Sequence, residues 1–167
     1  MKRRIIGLAL CLAMLMACAV AETAGTKVFQ LGTSSYTIEI PESFIEGGLT
    51  EEDIEDDMVA YMQSPDTLLD FDVYQFSKED GADTIADYTE AEAAEYNALE
   101  VVTDGEINGI AAAWYRATET YEGQEYTTLT YVLEDGDDFI EIAFWLDGDT
   151  AEQEAQAIIN TLTFVTR

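Results

Sequence analysis

The sequence has no histidine, two cysteines and two prolines, and its 167 residues include seven Lys or Arg against 35 Asp or Glu. Without histidine there is no imidazole base for a Ser or Cys nucleophile and no usual zinc ligand set. The formal charge of −28 opposes binding to nucleic acids or anionic membrane surfaces, because lysine and arginine supply affinity for phosphates. Motifs of serine hydrolases, phosphate loops and dinucleotide sites are also absent from the sequence. These absences exclude nucleic-acid partners and several enzyme classes.

The apolar content of the chain predicts a packed core. Hydrophobic residues make up 48% of the sequence, which includes 7 Phe, 9 Tyr and 2 Trp. This fraction is too high for a disordered acidic chain, despite the large charge. The length is that of about one domain.

The first 21 residues are typical of a secretory signal peptide. Lys2 to Arg4 form a positive segment, Ile5 to Met16 form an apolar run, and Ala19 to Ala21 match a signal peptidase site. We therefore predict a signal peptide at residues 1–21 and a single mature domain at residues 22–167, with cleavage between Ala21 and Glu22. The mature domain would keep 4 cations against 35 acids, a formal charge of −31.

A second interpretation of this segment is lipidation. Leu15 to Cys18 resembles a bacterial lipobox, in which Cys18 would carry the lipid. The first interpretation predicts a secreted protein without cysteine, because Cys11 and Cys18 are both removed. The second predicts a protein anchored to the outer face of the cell membrane, with Cys18 as its one attachment to a membrane.

Hydrophobic periodicity predicts strands and helices along the mature chain. The predicted strands are Val28 to Leu31, Tyr36 to Ile40, Leu68 to Phe76, Leu99 to Val102, Ala111 to Tyr121, Gln124 to Glu134 and Phe139 to Leu146. The predicted helices are Thr50 to Gln63, Thr84 to Tyr96 and a closing helix from Thr150. Capping boxes are predicted at Thr50 with Asp53 and at Thr150 with Gln153.

The connection Glu122-Gly123 predicts a two-residue hairpin turn, which fixes the register of the strands on either side. Trp114 then faces Tyr131, and Arg116 faces Leu129. One side of the sheet would be the main core: Ala112, Trp114, Leu129, Tyr131, Leu133, Ile140, Ile142, Phe144 and Leu146. The opposite side, which we call the mixed face, would carry Tyr115, Tyr126, Thr128, Thr130, Val132, Glu141 and Trp145.

The order of these features resembles the PsbP-like superfamily of small α/β sandwich proteins. The resemblance rests on the signal peptide, the segment Tyr36 to Pro41, two early helices, a long meander and a final helix with Ile158 to Leu162. It covers about residues 27–164 and includes no catalytic motif. It implies an α+β fold, with a single antiparallel sheet flanked by helices, and a non-catalytic role in binding or assembly.

The mixed face carries the candidate ligand site. Tyr115, Tyr126 and Trp145 beside Glu141 form an aromatic platform with a carboxylate, an arrangement that stacks on a sugar ring and binds its hydroxyl groups. Ordinary packing of these side chains under a covering helix is the alternative. A glycosidase would need a second carboxylate across the scissile bond, and the sequence does not identify one.

Two further positions have a functional and a structural interpretation. Asp135, Asp137 and Asp138 offer oxygen ligands for calcium, but Phe139 stands where the EF-hand pattern requires Asp or Asn, and a solvated hairpin tip is the alternative. Arg116 lies on the apolar side of the sheet. It would either grip an anionic ligand or extend past the core to one of the many acids.

These observations predict an exported, non-catalytic interaction module without a cofactor, whose partner is a protein or peptide of the envelope or exterior. The alternatives are a small-ligand or carbohydrate-binding protein that uses the mixed face, a weak calcium binder, and a hydrolase with a carboxylate mechanism.

Overall fold

The computed structural model describes residues 25–66, 68–78, 82–121 and 123–165. The predicted signal peptide, including Cys18 and Ala21, lies outside the described residues, as does Glu22. None of the described helices has the length and apolar character needed to cross a membrane.

The described residues form ten strands and three helices. The strands are β1 (Thr26–Gln30), β2 (Tyr36–Pro41), β3 (Ile45–Glu46), β4 (Met58–Gln63), β5 (Leu69–Ser77), β6 (Glu100–Ile107), β7 (Ile110–Tyr121), β8 (Gln124–Asp135), β9 (Asp138–Leu146) and β10 (Thr163–Phe164). The helices are α1 (Glu51–Glu55), α2 (Ile85–Glu95) and α3 (Asp149–Ile159).

The strands form two antiparallel sheets, which corrects the prediction of a single sheet. A seven-stranded sheet has the order β3-β4-β5-β9-β8-β7-β6, and a three-stranded sheet has the order β1-β2-β10. In β2, Tyr36, Ile38 and Ile40 are buried in the main core. This strand covers the large sheet instead of extending it, because covering buries its apolar residues. Alternation within a strand does not specify which partner it pairs with.

The main core lies between the large sheet on one side and the small sheet with α3 on the other. The predicted register is confirmed, since Trp114 pairs with Tyr131 and Arg116 with Leu129. The predicted core side is confirmed as well: eight of its nine residues are buried in this cluster, and Trp114 packs against it while partly buried. The eight are Ala112, Leu129, Tyr131, Leu133, Ile140, Ile142, Phe144 and Leu146.

The predicted helix from Thr50 to Gln63 is wrong beyond its first turns. The Thr50 hydroxyl oxygen accepts a hydrogen bond from the Asp53 amide, and the Asp53 carboxylate accepts one from the Thr50 amide. The predicted capping box is therefore confirmed. The helix ends at Glu55 because it buries no residue and so gains little from packing. Asp57, at a φ of 62°, then turns the chain into β4, where Ala60 and Met62 are buried and their neighbours are more exposed. The apolar residues therefore follow the period of a strand.

The predicted capping box of the last helix is also wrong. Gly148, at a φ of 91°, is the N-cap of α3 and supplies no side-chain hydrogen bond. The helix begins one residue before Thr150, because a turn that needs the left-handed region suits glycine. The apolar residues of this segment are buried in the main core: Ala151, Ala155, Ile158, Ile159 and Leu162.

Strand β6 runs five residues beyond the predicted end at Val102, through an irregularity between Val102 and Gly105. A Cβ atom at Gly105 would lie 1.9 Å from the indole ring of Trp114. Glycine at this position lets the ring lie across the strand.

Gly105→Ala should therefore lower the free energy of unfolding by about 2 kcal/mol, since overpacking of this kind forces the ring to move. Urea denaturation measures the change. Gly48→Ala is the matched control, because a Cβ atom at Gly48 has no neighbour within 4 Å. Equal effects of the two substitutions would contradict this packing of Trp114.

Candidate functional site

The mixed face is a second, partly covered layer of the protein. Helix α2 packs on it through contacts with β6, β7 and β8. Tyr115 is 2% exposed and Glu141 is 9% exposed, so the carboxyl group lies in an interior environment. Trp145 and Tyr126 are half-buried. Burial decreases from the helix toward these two aromatic residues.

A cleft of about 450 Å³ opens on this face between α2 and the sheet. Of the four residues predicted as a ligand site, Tyr115, Glu141 and Trp145 line the cleft. Tyr126 is not among its described lining residues; its ring packs edge-to-face on Trp145 at 6.1 Å between centroids. The structure therefore brings three of the four residues together around one space. The other lining residues are Asp56, Asp57, Tyr74, Phe76, Tyr88, Glu92, Tyr96, Glu119, Thr130 and Ala143.

Glu141 is the most deeply buried acid of the cleft. The hydroxyl group of Tyr88 donates a hydrogen bond of 2.8 Å to its Oε2 atom. Burial and, to a smaller extent, the nearby acids Glu92, Glu119 and Asp72 raise the pKa of Glu141 to about 7 against the lowering effect of this hydrogen bond. A carboxyl group with this pKa is divided between its protonated and ionised forms near neutral pH.

Asp72 does not line the cleft but binds the side chain of Trp145, which does. The Nε1 atom of Trp145 donates a hydrogen bond of 2.7 Å to Oδ2 of Asp72. Burial raises the pKa of Asp72 to about 6, although this hydrogen bond acts in the opposite direction. The indole ring is thereby held in one orientation beside the opening.

The remaining aromatic residues form the walls of the cleft. Tyr96, at the end of α2, stacks on Tyr115 of β7 with centroids 6.1 Å apart and planes 14° apart. Tyr88 packs on Phe76 at 4.9 Å and on Phe139 at 5.5 Å. The ring stacks anchor the helix to the sheet on both sides of Glu141.

Sequence reasoning missed several residues that line the cleft or lie behind it, although patterns in the sequence pointed to them. Asp72, Tyr74 and Phe76 alternate with the buried Phe71 and Val73 of β5, which places them on the mixed face.

The residues that α2 contributes show a helical pattern. Tyr88, Glu92 and Tyr96 recur at intervals of four residues, which is the spacing of one helix face. The pattern does not predict that this face of α2 packs on the mixed face of the sheet.

The candidate calcium ligands lie at the hairpin that joins β8 to β9. Oδ2 of Asp135 accepts a hydrogen bond from the Ser35 amide, and Oδ2 of Asp138 accepts one from the Gln75 amide group. The Asp137 carbonyl accepts from the Lys78 amide. Within the described ranges, no three acidic or cysteine side chains are grouped so as to hold a metal ion. The carboxylates of Asp135 and Asp138 therefore join the hairpin to the loop before β2 and to strand β5.

Arg116 extends to an acid of the closing helix. Its two terminal nitrogens donate to the two carboxylate oxygens of Glu152 at 2.5 and 3.0 Å. This hydrogen bonding lowers the pKa of Glu152. The structural interpretation of Arg116 is confirmed, because the guanidinium group joins β7 to α3.

The sequence matches no protein-family model, and no curated protein is similar to it. Its structure is similar to several solved structures. The solution structure of the cyanobacterial PsbP protein from Synechocystis has a TM-score of 0.62 at 9% identity, covering 90% of this chain and 98% of that one. LpqN of Mycobacterium tuberculosis, a protein involved in cell envelope biogenesis, has a TM-score of 0.52 at 11% identity, covering 85% and 91%.

A protein of Bacteroides thetaiotaomicron has a TM-score of 0.58 at 20% identity. The match covers 84% of this chain but spans only 48% of the length of that protein. At these identities the similarity concerns the fold. The chain adopts the PsbP-like fold that its sequence resembles.

Proposed function

We propose that the chain is an exported, non-catalytic binding domain that uses the cleft beside α2 to hold part of a protein or peptide partner of the cell envelope or exterior. The observation that carries the proposal is the cleft itself: aromatic and carboxylic side chains meet there around open space, on a sheet face that is otherwise packed. A concave site with aromatic walls and a few polar groups is the usual form of a binding site.

The acids of the cleft favour binding over catalysis. A carboxylate mechanism keeps one carboxyl group protonated and a second one ionised, so that one donates a proton while the other attacks or activates water. Here burial raises the pKa of all three acids that the helix and the sheet contribute to the cleft, Glu92, Glu119 and Glu141. Among the described lining residues there is no Lys or Arg that would keep one of them ionised.

Two observations support an extracytoplasmic location. The N-terminal segment has the pattern of a signal peptide. LpqN, which shares the fold, is involved in cell envelope biogenesis. Free secretion after cleavage at Ala21 and anchoring through Cys18 both place the cleft outside the cytoplasm.

A small ligand is the second candidate for the occupant. The cleft volume of about 450 Å³ lies in the range of small-molecule sites, roughly 300 to 1,000 Å³. Trp145 is a half-buried aromatic residue that lines the cleft, and a sugar ring stacks on side chains of this kind. The test below separates this occupant from a protein by the mass of what is captured.

Site-specific photo-crosslinking in cells that naturally make the protein tests the proposal. A photo-reactive phenylalanine replaces Tyr96, which is 39% exposed at the cleft, or Val28, which is 70% exposed on the small sheet across the main core. We expect a protein adduct from the Tyr96 variant and none from the Val28 variant.

The other outcomes are equally distinct. Equal adducts at both positions would mean that the cleft is not the binding surface. An adduct with only the mass of a small molecule at Tyr96 would support the second candidate. Absence of any adduct at Tyr96 would contradict both.

A further inference from the structure

The charge of the cleft has one sign. Its described lining residues include five acids and no Lys or Arg; the acids are Asp56, Asp57, Glu92, Glu119 and Glu141. They come from three separate parts of the fold: the segment between α1 and β4, helix α2, and strands β7 and β9. Acids from separate elements converge on one space, where their negative potentials add.

Aromatic side chains line the same space as these acids. Tyr96 and Tyr115 are stacked nearly parallel, and the indole ring of Trp145 is held by its bond to Asp72. The face of an aromatic ring carries partial negative charge and attracts cations, most strongly for tryptophan. Acids and rings therefore favour the same kind of occupant.

Glu141 adds an independent observation. Its carboxyl group is almost completely buried and lines the cleft, and its one hydrogen bond within the described part of the chain comes from Tyr88. An ionised carboxylate at such a depth is costly without a positive partner. Near neutral pH a proton neutralises this group in about half of the free molecules, and a positive ligand would take the place of that proton.

We propose that the cleft binds an organic cation, an ammonium or guanidinium group, presented by a basic side chain of the partner. This inference rests on the proposed binding function and specifies its chemistry. An uncharged sugar is less suited to the cleft, because it would leave the converging negative charges uncompensated. The same chemistry could come from a free amine, and the experiment separates the two sources.

Calorimetric titration of the mature domain, residues 22–167, with matched pairs of probes tests the inference. The first pair is N-acetyl-lysine methylamide and N-acetyl-norleucine methylamide, which differ by the ammonium group. The second pair is choline and its neutral carbon analogue 3,3-dimethylbutanol. Sodium chloride at about 0.3 M screens the bulk charge of the domain.

We expect saturable binding of the lysine probe, at least about tenfold tighter than that of the norleucine probe. Glu141→Gln should remove most of this preference, because it keeps an acceptor for Tyr88 but no longer carries a charge. Glu39→Gln is the matched control, since Glu39 is an exposed acid of the small sheet; it should leave the preference unchanged. A preference that survives Glu141→Gln, or that falls equally in Glu39→Gln, would overturn the inference.

The pH dependence gives a second measurement. Glu141 faces Tyr88 and Glu92 of α2, Tyr115 and Glu119 of β7, and Asp72 and Tyr74 of β5. With the pKa of Glu141 at about 7, a cation that displaces its proton should bind about tenfold tighter at pH 8 than at pH 6. An affinity that does not change with pH would contradict the displacement of this proton.

The probes also separate this inference from the proposed function. Equal binding of charged and neutral probes, together with a crosslink at Tyr96, would refute the cation and leave the binding function standing. Charge-selective binding without a crosslink would refute the protein partner and retain the cation site. Tighter binding of choline than of the lysine probe would identify a small free ammonium compound, instead of a basic side chain, as the source.

Discussion

Glu141→Gln should raise the free energy of unfolding by about 3 kcal/mol at pH 8 and by only a few tenths of a kcal/mol at pH 4. Burial raises the pKa of this carboxyl group from 4.5 to about 7, and each unit of such a difference is worth about 1.4 kcal/mol. The folded state binds the proton more tightly than the unfolded state does. The wild-type protein therefore loses stability as the pH rises from about 4.5 to about 7, while the amide, which does not ionise, avoids this loss.

Urea denaturation of both proteins at several pH values between 4 and 8 measures the difference. The repulsion among the other acids changes with pH in both proteins and cancels in the comparison. Glu39→Gln again serves as the control, because it removes an exposed charge and should give a difference that varies little with pH. A difference between Glu141→Gln and the wild type that stays constant across this range would mean that the pKa of Glu141 is the same in the folded and the unfolded state.

Phe71→Ala should lower the free energy of unfolding by about 4 kcal/mol, which is the usual cost of removing a fully buried aromatic ring. Phe71 is 0% exposed and lies at the centre of the main core. Its ring contacts Phe144 at 5.4 Å, Phe29 at 5.9 Å and Phe44 at 6.0 Å between centroids. These contacts join the large sheet to the small one, so the loss would weaken the packing between them.

Urea denaturation at pH 5.5, where most of Glu141 is protonated, measures the effect of Phe71→Ala. Phe164→Ala is the matched control: it removes the same ring from β10 at a position that is 52% exposed. It should cost about 1 kcal/mol or less. If the two substitutions cost the same, the small sheet does not pack on the large one as described.

The pairing of strands in the hairpins could be predicted closely, because it depends on residues that are near one another in the sequence. A two-residue turn fixes the register, and the register assigns each side chain to a face. Trp114 opposite Tyr131 follows from the turn alone. Glu141 was assigned to the correct face for the same reason, although its depth of burial depends on a helix located more than forty residues earlier in the chain.

The parts that could not be predicted depend on packing between distant segments. The run Met58 to Gln63 has apolar spacings that suit either a helix or a strand, and pairing with β5 decides for the strand. Tyr88 and Tyr96 are site residues because α2 lies across the mixed face. The periodicity of a helix predicts which of its sides is apolar, but it does not predict where the helix packs. The cleft therefore depends on tertiary packing, whereas the strands that form its floor could be predicted from the sequence.

Strand β6 is the last strand of the large sheet, and its outer side has no neighbour among the described residues. An edge strand of this length has backbone N–H and C=O groups that can pair with a strand of another molecule, and such pairing leads to aggregation. Glu100, Asp104 and Glu106 are exposed along it. Two copies brought together at this border would set like charges against one another, so the acids along β6 oppose edge-to-edge pairing of this sheet.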